Sequence, residues 1–133
     1  MKAFTLRQVI AMGAVTGMRS MTGAAALAVR RRNPAATLLS VAAIGEMLAD
    51  KTSIVGNRTD RLPLAGRAMI GAAVGAFIAH AREDNAVAGA VLGAASAVAA
   101  AHLACRLRHA LPGSVAAGLA EDALVVQIAS RYA

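Results

Sequence analysis

Five apolar runs, separated by short charged stretches, set the layout of this chain. Val9 to Val29 is 21 residues with one charge, Arg19, near its centre. That is long enough as a helix to cross a hydrocarbon core of about 30 Å at about 1.5 Å per residue. After Arg30, Arg31, Arg32, Asn33 and Pro34, a second run covers Ala35 to Ala49, extending to Val55 if it carries Asp50 and Lys51. Gly56 to Pro63 reads as the longest loop. Leu64 to Ala81 is a third run, and Arg82 to Asn85 a tight charged turn. Ala86 to Cys105 is a fourth run without a charge. Arg106 to Gly113 closes it, and Val115 to Ala129 is a fifth.

The first run recurs. Shifted by 76 positions, Gly13, Ala14, Val15, Gly17, Ser20, Ala24, Ala25, Leu27, Ala28, Arg30 and Arg32 meet identical residues between Gly89 and Arg108. Arg19 meets Ala95. Ser40-Val41-Ala42-Ala43 recurs as Ser114-Val115-Ala116-Ala117, each copy followed by acids: Glu46 in one, Glu121 and Asp122 in the other. An odd number of intervening crossings would turn the second pair upside down, the inverted repeat of many transporters, with a site near midplane. The expected fold is therefore all-α: a single polytopic transmembrane domain over 1–133, with about five spans and an internal inverted two-helix repeat. Repeat one covers about 9–55, the linking span 64–81 and repeat two about 86–129.

Composition strengthens the membrane reading. The chain of 133 residues is 58% hydrophobic and 2% aromatic, with no tryptophan, and its mean hydropathy is +0.58. Alanine and glycine take the place of large rings, as in membrane helices that pack closely. The net charge of +7 would suggest nucleic acid in a soluble protein. Here the basic residues sit between apolar runs without interleaved aromatics to stack bases, so nucleic acid is not an expected partner. With five crossings the termini fall on opposite sides, and the positive residues mildly favour a cytoplasmic N-terminus. A cleaved leader is not expected, because Arg19 interrupts any signal-like core. One cysteine, Cys105, excludes an intrachain disulfide and says nothing of redox compartment.

Candidate chemistry lies in the charges the bilayer would enclose. Arg19, Glu46, Glu121 and Asp122 are the central set, with Asp50, Lys51 and Arg67 nearer the ends. Charges near mid-bilayer cost about 2.5–3.5 kcal/mol each on insertion scales, so they must be paired, hydrated or protonated. One arginine cannot neutralise three carboxylates, which favours an ion or proton pathway over a purely structural network. Arg30, Arg31, Arg32, Arg106 and Arg108 are candidates for lipid headgroups. His102, Cys105 and His109 share one helical face but fall short of a four-ligand metal site, so no metal and no cofactor is expected. No nucleophile–base pair, phosphate loop or redox motif points to an enzyme.

Gly17-Met18-Arg19-Ser20-Met21-Thr22, with Gly45-Glu46-Met47-Leu48-Ala49-Asp50-Lys51, Gly66-Arg67 and Glu121-Asp122-Ala123-Leu124, resembles the bacterial membrane-protein family of domain of unknown function 4126. The likeness runs from about Gly13 to Leu124. It departs after Thr22 and after Lys51, where Gly23-Ala24 and Thr52-Ser53 replace expected prolines. The resemblance implies a multi-pass protein of the bacterial inner membrane and no activity. The combined expectation is a small channel or secondary transporter linked to ions or protons. The alternatives are a non-transporting scaffold or assembly subunit and an anionic-lipid-binding protein. Membrane lipids are expected partners, and five short helices call for a homodimer or larger homo-oligomer.

Overall fold

The computed structural model describes residues 1–49, 61–110 and 115–133. Six helices run through them: α1 (Ala3–Met18), α2 (Ser20–Arg30), α3 (Ala36–Ala49), α4 (Arg61–Ala81), α5 (Ala86–Ala110) and α6 (Val115–Tyr132). The class is all-α, as the periodicity predicts. Among the described residues two helices, Pro63–Ala81 and Ala86–Ala110, are long and apolar enough to cross a membrane. The five spans expected above are not confirmed.

The main departure is at Arg19. The run Val9 to Val29 is not one helix but two, broken where Arg19 takes an extended conformation, φ −143° and ψ 103°. Its amide donates to the Val15 carbonyl to close α1, and its own carbonyl accepts from Thr22 N–H as α2 begins. The chain then folds back. A Cβ on Gly23 would press on the Thr16 hydroxyl, and Leu27 shares a buried cluster with Val9 and Met12. α1 and α2 thus form an antiparallel hairpin with Arg19 at its tip.

Small residues bring the central helices together. A Cβ on Gly75 would collide with the Gly89 carbonyl, and one on Gly71 with Gly93 and Ala97. α4 and α5 therefore pack antiparallel, backbone against backbone. On the other side of α5, Gly13 faces Gly93 and Ser96, and Gly17 faces Ala97. Rising numbers on α1 meet rising numbers on α5, so these two run in the same direction. The repeated Gly13–Arg32 and Gly89–Arg108 segments accordingly start out parallel. This corrects the inverted repeat, which needs them opposed; the extra helix created by the break restores the alternation that the inversion argument had counted away.

α2 and α6 pack against α1, and α3 lies outside, against α2. The Gln8 side-chain amide donates to the Tyr132 carbonyl at 2.7 Å, and Lys2 N–H donates to Asp84 at 3.1 Å. The two ends of the chain therefore lie at the same end of the bundle.

Helix boundaries also shift from expectation. α1 starts at Ala3, not Val9, and buries Thr5 and Gln8. α5 continues past Cys105 to Ala110, since arginine and leucine are good helix formers. α4 starts at Arg61 and carries Pro63 in its first turn, where a missing N–H leaves no bond unmade. The α2–α3 connection closes by the 6→1 and 5→2 bonds Asn33 N to Ala28 O and Arg32 N to Val29 O. This puts Arg32 at φ 51°, a position usually given to glycine.

The distribution of side chains is unlike that of a water-soluble bundle. Polar Thr5, Gln8, Thr16, Arg19, Thr22 and Arg67 are buried among alanines and glycines. Large apolar side chains face outwards: Val87, Val91, Leu103 and Leu107 along α5, and Met69 and Phe77 on α4. From Val87 to Leu107 the helix rises about 30 Å.

Candidate functional site

The tip of the α1–α2 hairpin lies halfway along α5. Gly17, two residues before Arg19, abuts Ala97, the twelfth of the 25 residues in α5. Arg19 is 1% exposed. Its Nε donates to Asp122 Oδ1 at 2.8 Å, and its Nη2 donates to the same oxygen. One residue earlier on α6, Glu121 Oε2 accepts from Arg108 Nε at 2.9 Å and Nη2 at 2.7 Å. Adjacent acids on α6 thus each hold a different arginine, one from the hairpin tip and one from the end of α5.

Neither pairing is accidental in its local cause. The break lets the Arg19 side chain leave the helical path and turn towards α6, and α6 packs there through Val125 and Ala129 against Val15. Arg108 reaches Glu121 because α5 runs on beyond Cys105, bringing its last turns over the first turns of α6. A charge-assisted pair of this kind is stronger than a neutral hydrogen bond, and strongest where water is excluded.

Arg67 is the second buried arginine, 6% exposed in α4. The register of the glycine contacts puts it at the level of Arg19: Gly71 meets Gly93 and Ala97 from one side of α5, and Gly13 and Gly17 meet the same two from the other. Glu46 falls in the last turn of α3. The Glu46 side chain, and Asp50 and Lys51 altogether, lie outside the described residues. Of the expected central set, the structure brings together Arg19 and Asp122, with Glu121 beside them; Arg67, expected nearer an end, lies at the same level.

The residues expected at headgroups separate into two groups. Arg30, Arg31 and Arg32 are exposed at the end of the bundle that carries Lys2, and Arg106 is exposed near the other end. Arg108 is instead engaged with Glu121. His109 Nδ1 lies 2.8 Å from the Cys105 carbonyl and 3.6 Å from its sulfur, while His102 is exposed. Among the described residues no group of three or more His, Cys, Asp or Glu is arranged to hold a metal ion.

Sequence reasoning missed the buried hydroxyls. Thr16 Oγ1 donates to the Met12 carbonyl at 2.9 Å, the usual way for a threonine to be satisfied inside an apolar helix. Thr22 Oγ1, in the first turn of α2, is buried with no hydrogen-bond partner among the described residues. Both are polar interruptions of the Val9–Val29 run, which was the available signal. Comparison with known protein families, with curated proteins and with solved structures found no match.

Proposed function

We propose that this chain is an integral membrane protein in which the broken first helix holds a polar centre for ion or proton passage, as a small channel or secondary transporter. The carrying observation is the break itself, midway along α5, with buried Arg19 bonded to Asp122. A break costs backbone hydrogen bonds that hydrocarbon cannot replace, and membrane proteins tolerate one where it borders a site. The exposed Val87, Val91, Leu103 and Leu107 support the membrane placement, since the stretch of α5 that carries them matches the hydrocarbon core of about 30 Å. Asp122 bonds Arg19 at the hairpin tip and is the acid on which this reading rests.

The test is reconstitution into liposomes enclosing a pH-reporting dye. Wild type should dissipate an imposed proton or cation gradient under a membrane potential, and Asp122→Asn should abolish that flux while remaining helical and monodisperse. Wild-type liposomes no leakier than empty ones to H⁺, Na⁺, K⁺ and Cl⁻ would overturn the pathway.

One observation favours a second reading, a membrane scaffold without a substrate. Glu121 has its own arginine in Arg108, so the surplus of acid that argued for a titrating site is smaller than the residue list suggests. Absent flux, together with strong stability coupling between Arg19 and Asp122, would make this the better account. In either case a homo-oligomer in the bacterial inner membrane remains part of the proposal, because six short helices enclose little volume on their own.

A further inference from the structure

Two apolar grooves flank α3. One, of about 450 Å³, runs between α2, α3 and α6, walled by Ala25, Val29, Ala43, Ile44, Val126 and Ala129, with Arg30 at its end. The other, of about 510 Å³, lies between α2, α3 and α4, with Leu39, Met69, Ala73 and Phe77 among its walls. Both volumes fall in the range of small-molecule clefts, roughly 300–1,000 Å³. The turn after α2 sits astride them. Arg30 lines the first groove, and the Arg31 guanidinium lies 5.3 Å from the centre of the Phe77 ring in the second. Arg32 holds a left-handed position at φ 51° where glycine would be less strained. Among the described residues no carboxylate pairs with Arg30, Arg31 or Arg32.

We propose that these grooves bind an anionic phospholipid, its acyl chains against α3 and its phosphate on the Arg30–Arg32 turn. The charge complementarity is specific: Arg30 lines one hydrocarbon-walled groove, Arg31 lies over Phe77 of the other, and Arg32 follows in the same exposed turn, with no carboxylate partner among the described residues. A dry groove wall gains by covering hydrocarbon, and a phosphate gains by meeting several arginines at once. A zwitterionic lipid would fill the grooves but return less at the turn. The strained Arg32 fits the same account, since a glycine would ease the backbone and forfeit the third guanidinium. This inference rests on the membrane placement proposed above and not on ion movement. A protein that proved soluble without detergent would remove the membrane, whereas the lipid experiment below can fail with the membrane placement intact.

The experiment is native mass spectrometry and thermal unfolding of the detergent-purified chain with dioleoylphosphatidylglycerol or dioleoylphosphatidylcholine. Phosphatidylglycerol should be retained and should raise Tm, with phosphatidylcholine retained about tenfold less or weaker still, the difference that charge near a membrane surface confers per one or two arginines. Arg30→Gln with Arg31→Gln should erase the preference. Arg32→Gly should lower it while leaving lipid-free Tm equal or higher, separating lipid contact from folding. Ser40→Phe, which fills the first groove, should lower retention of both lipids. Gly66→Ala, outside both grooves and with open space at the added methyl, should leave retention unchanged. Equal retention of the two lipids would overturn the proposal. So would the same rise in Tm with glycerol phosphate or inorganic phosphate, or a loss on Gly66→Ala as large as on arginine replacement.

Discussion

Arg19 and Ala95 occupy the same place in the two copies of the repeat, and the backbone treats them differently. At Ala95 the helix continues; at Arg19 it breaks and reverses. Alanine has nothing to gain by leaving a helix. The arginine trades helical hydrogen bonds for a buried bond to Asp122, 103 residues away. Removing one partner of such a pair strands the other charge, so Arg19→Leu should cost about 3–5 kcal/mol. Arg19→Leu with Asp122→Leu should recover much of that loss, which a double-mutant cycle on thermal unfolding in detergent would measure. Additive losses would mean that the two side chains are not coupled. At the opposite end of α1, the Lys2 backbone N–H and then the Thr5 hydroxyl hold the Asp84 carboxyl below its usual 3.8. A carboxylate depressed on folding stabilises above its unfolded pKa and loses that effect as pH falls through the folded one. The Tm difference between wild type and Asp84→Asn should accordingly be constant near neutrality and shrink below about pH 4, the ordinary carboxylate value.

At the level of elements, the helices are held by what they lack. Gly75→Ala puts a methyl into the Gly89 carbonyl and should destabilise by about 1–3 kcal/mol, as overpacking does. Gly66, on the same helix, has nothing within 4 Å of an added Cβ. Gly66→Ala should therefore be neutral or stabilise by up to about 1 kcal/mol through helix propensity. Thermal unfolding followed by circular dichroism separates the two cases. Glycine spacing, helix class and the anomalous arginine were all legible in the chain, because each is a local pattern. The break was not, since Arg19 lies in a run that reads as helix on both sides, and its partner is distant. Arg108 was misplaced for a related reason: within the Arg106–Arg108 cluster it looks like a loop residue, and only the continuation of α5 brings it to Glu121.

For the whole molecule, the break changes the parity of the fold. The Gln8–Tyr132 bond sets both chain ends at one end of the bundle, with Arg30, Arg31, Arg32, Arg82 and Arg131 near it. Arg61, Arg106 and Arg108 mark the other end among the described residues. In the membrane placement proposed above, positive residues favour the cytoplasmic side, so single cysteines beside Lys2 and at Ala133, in a Cys105→Ser background, should both resist an impermeant maleimide in intact cells. One at Ala110 should react. Labelling of only one terminus would restore the odd count and put the hairpin in question.

The hairpin also has a consequence for the order of synthesis. At about 1.5 Å per residue, α1 is about 24 Å long and α2 about 17 Å, each short of the bilayer, whereas Val9 to Val29 as one helix would cross it. Asp122, which holds the tip, is made 103 residues after Arg19. In the membrane placement proposed above, a nascent chain has reason to insert the first run as a single span and to place Arg30–Arg32 on the far side. Synthesis of α6 would then draw the hairpin back. A chain stopped at Ala110 should expose a cysteine at Asn33 on the opposite face from the 133-residue chain; identical labelling in both would mean that the hairpin forms without α6. In this scheme a helix made long afterwards decides where the α2–α3 turn comes to rest.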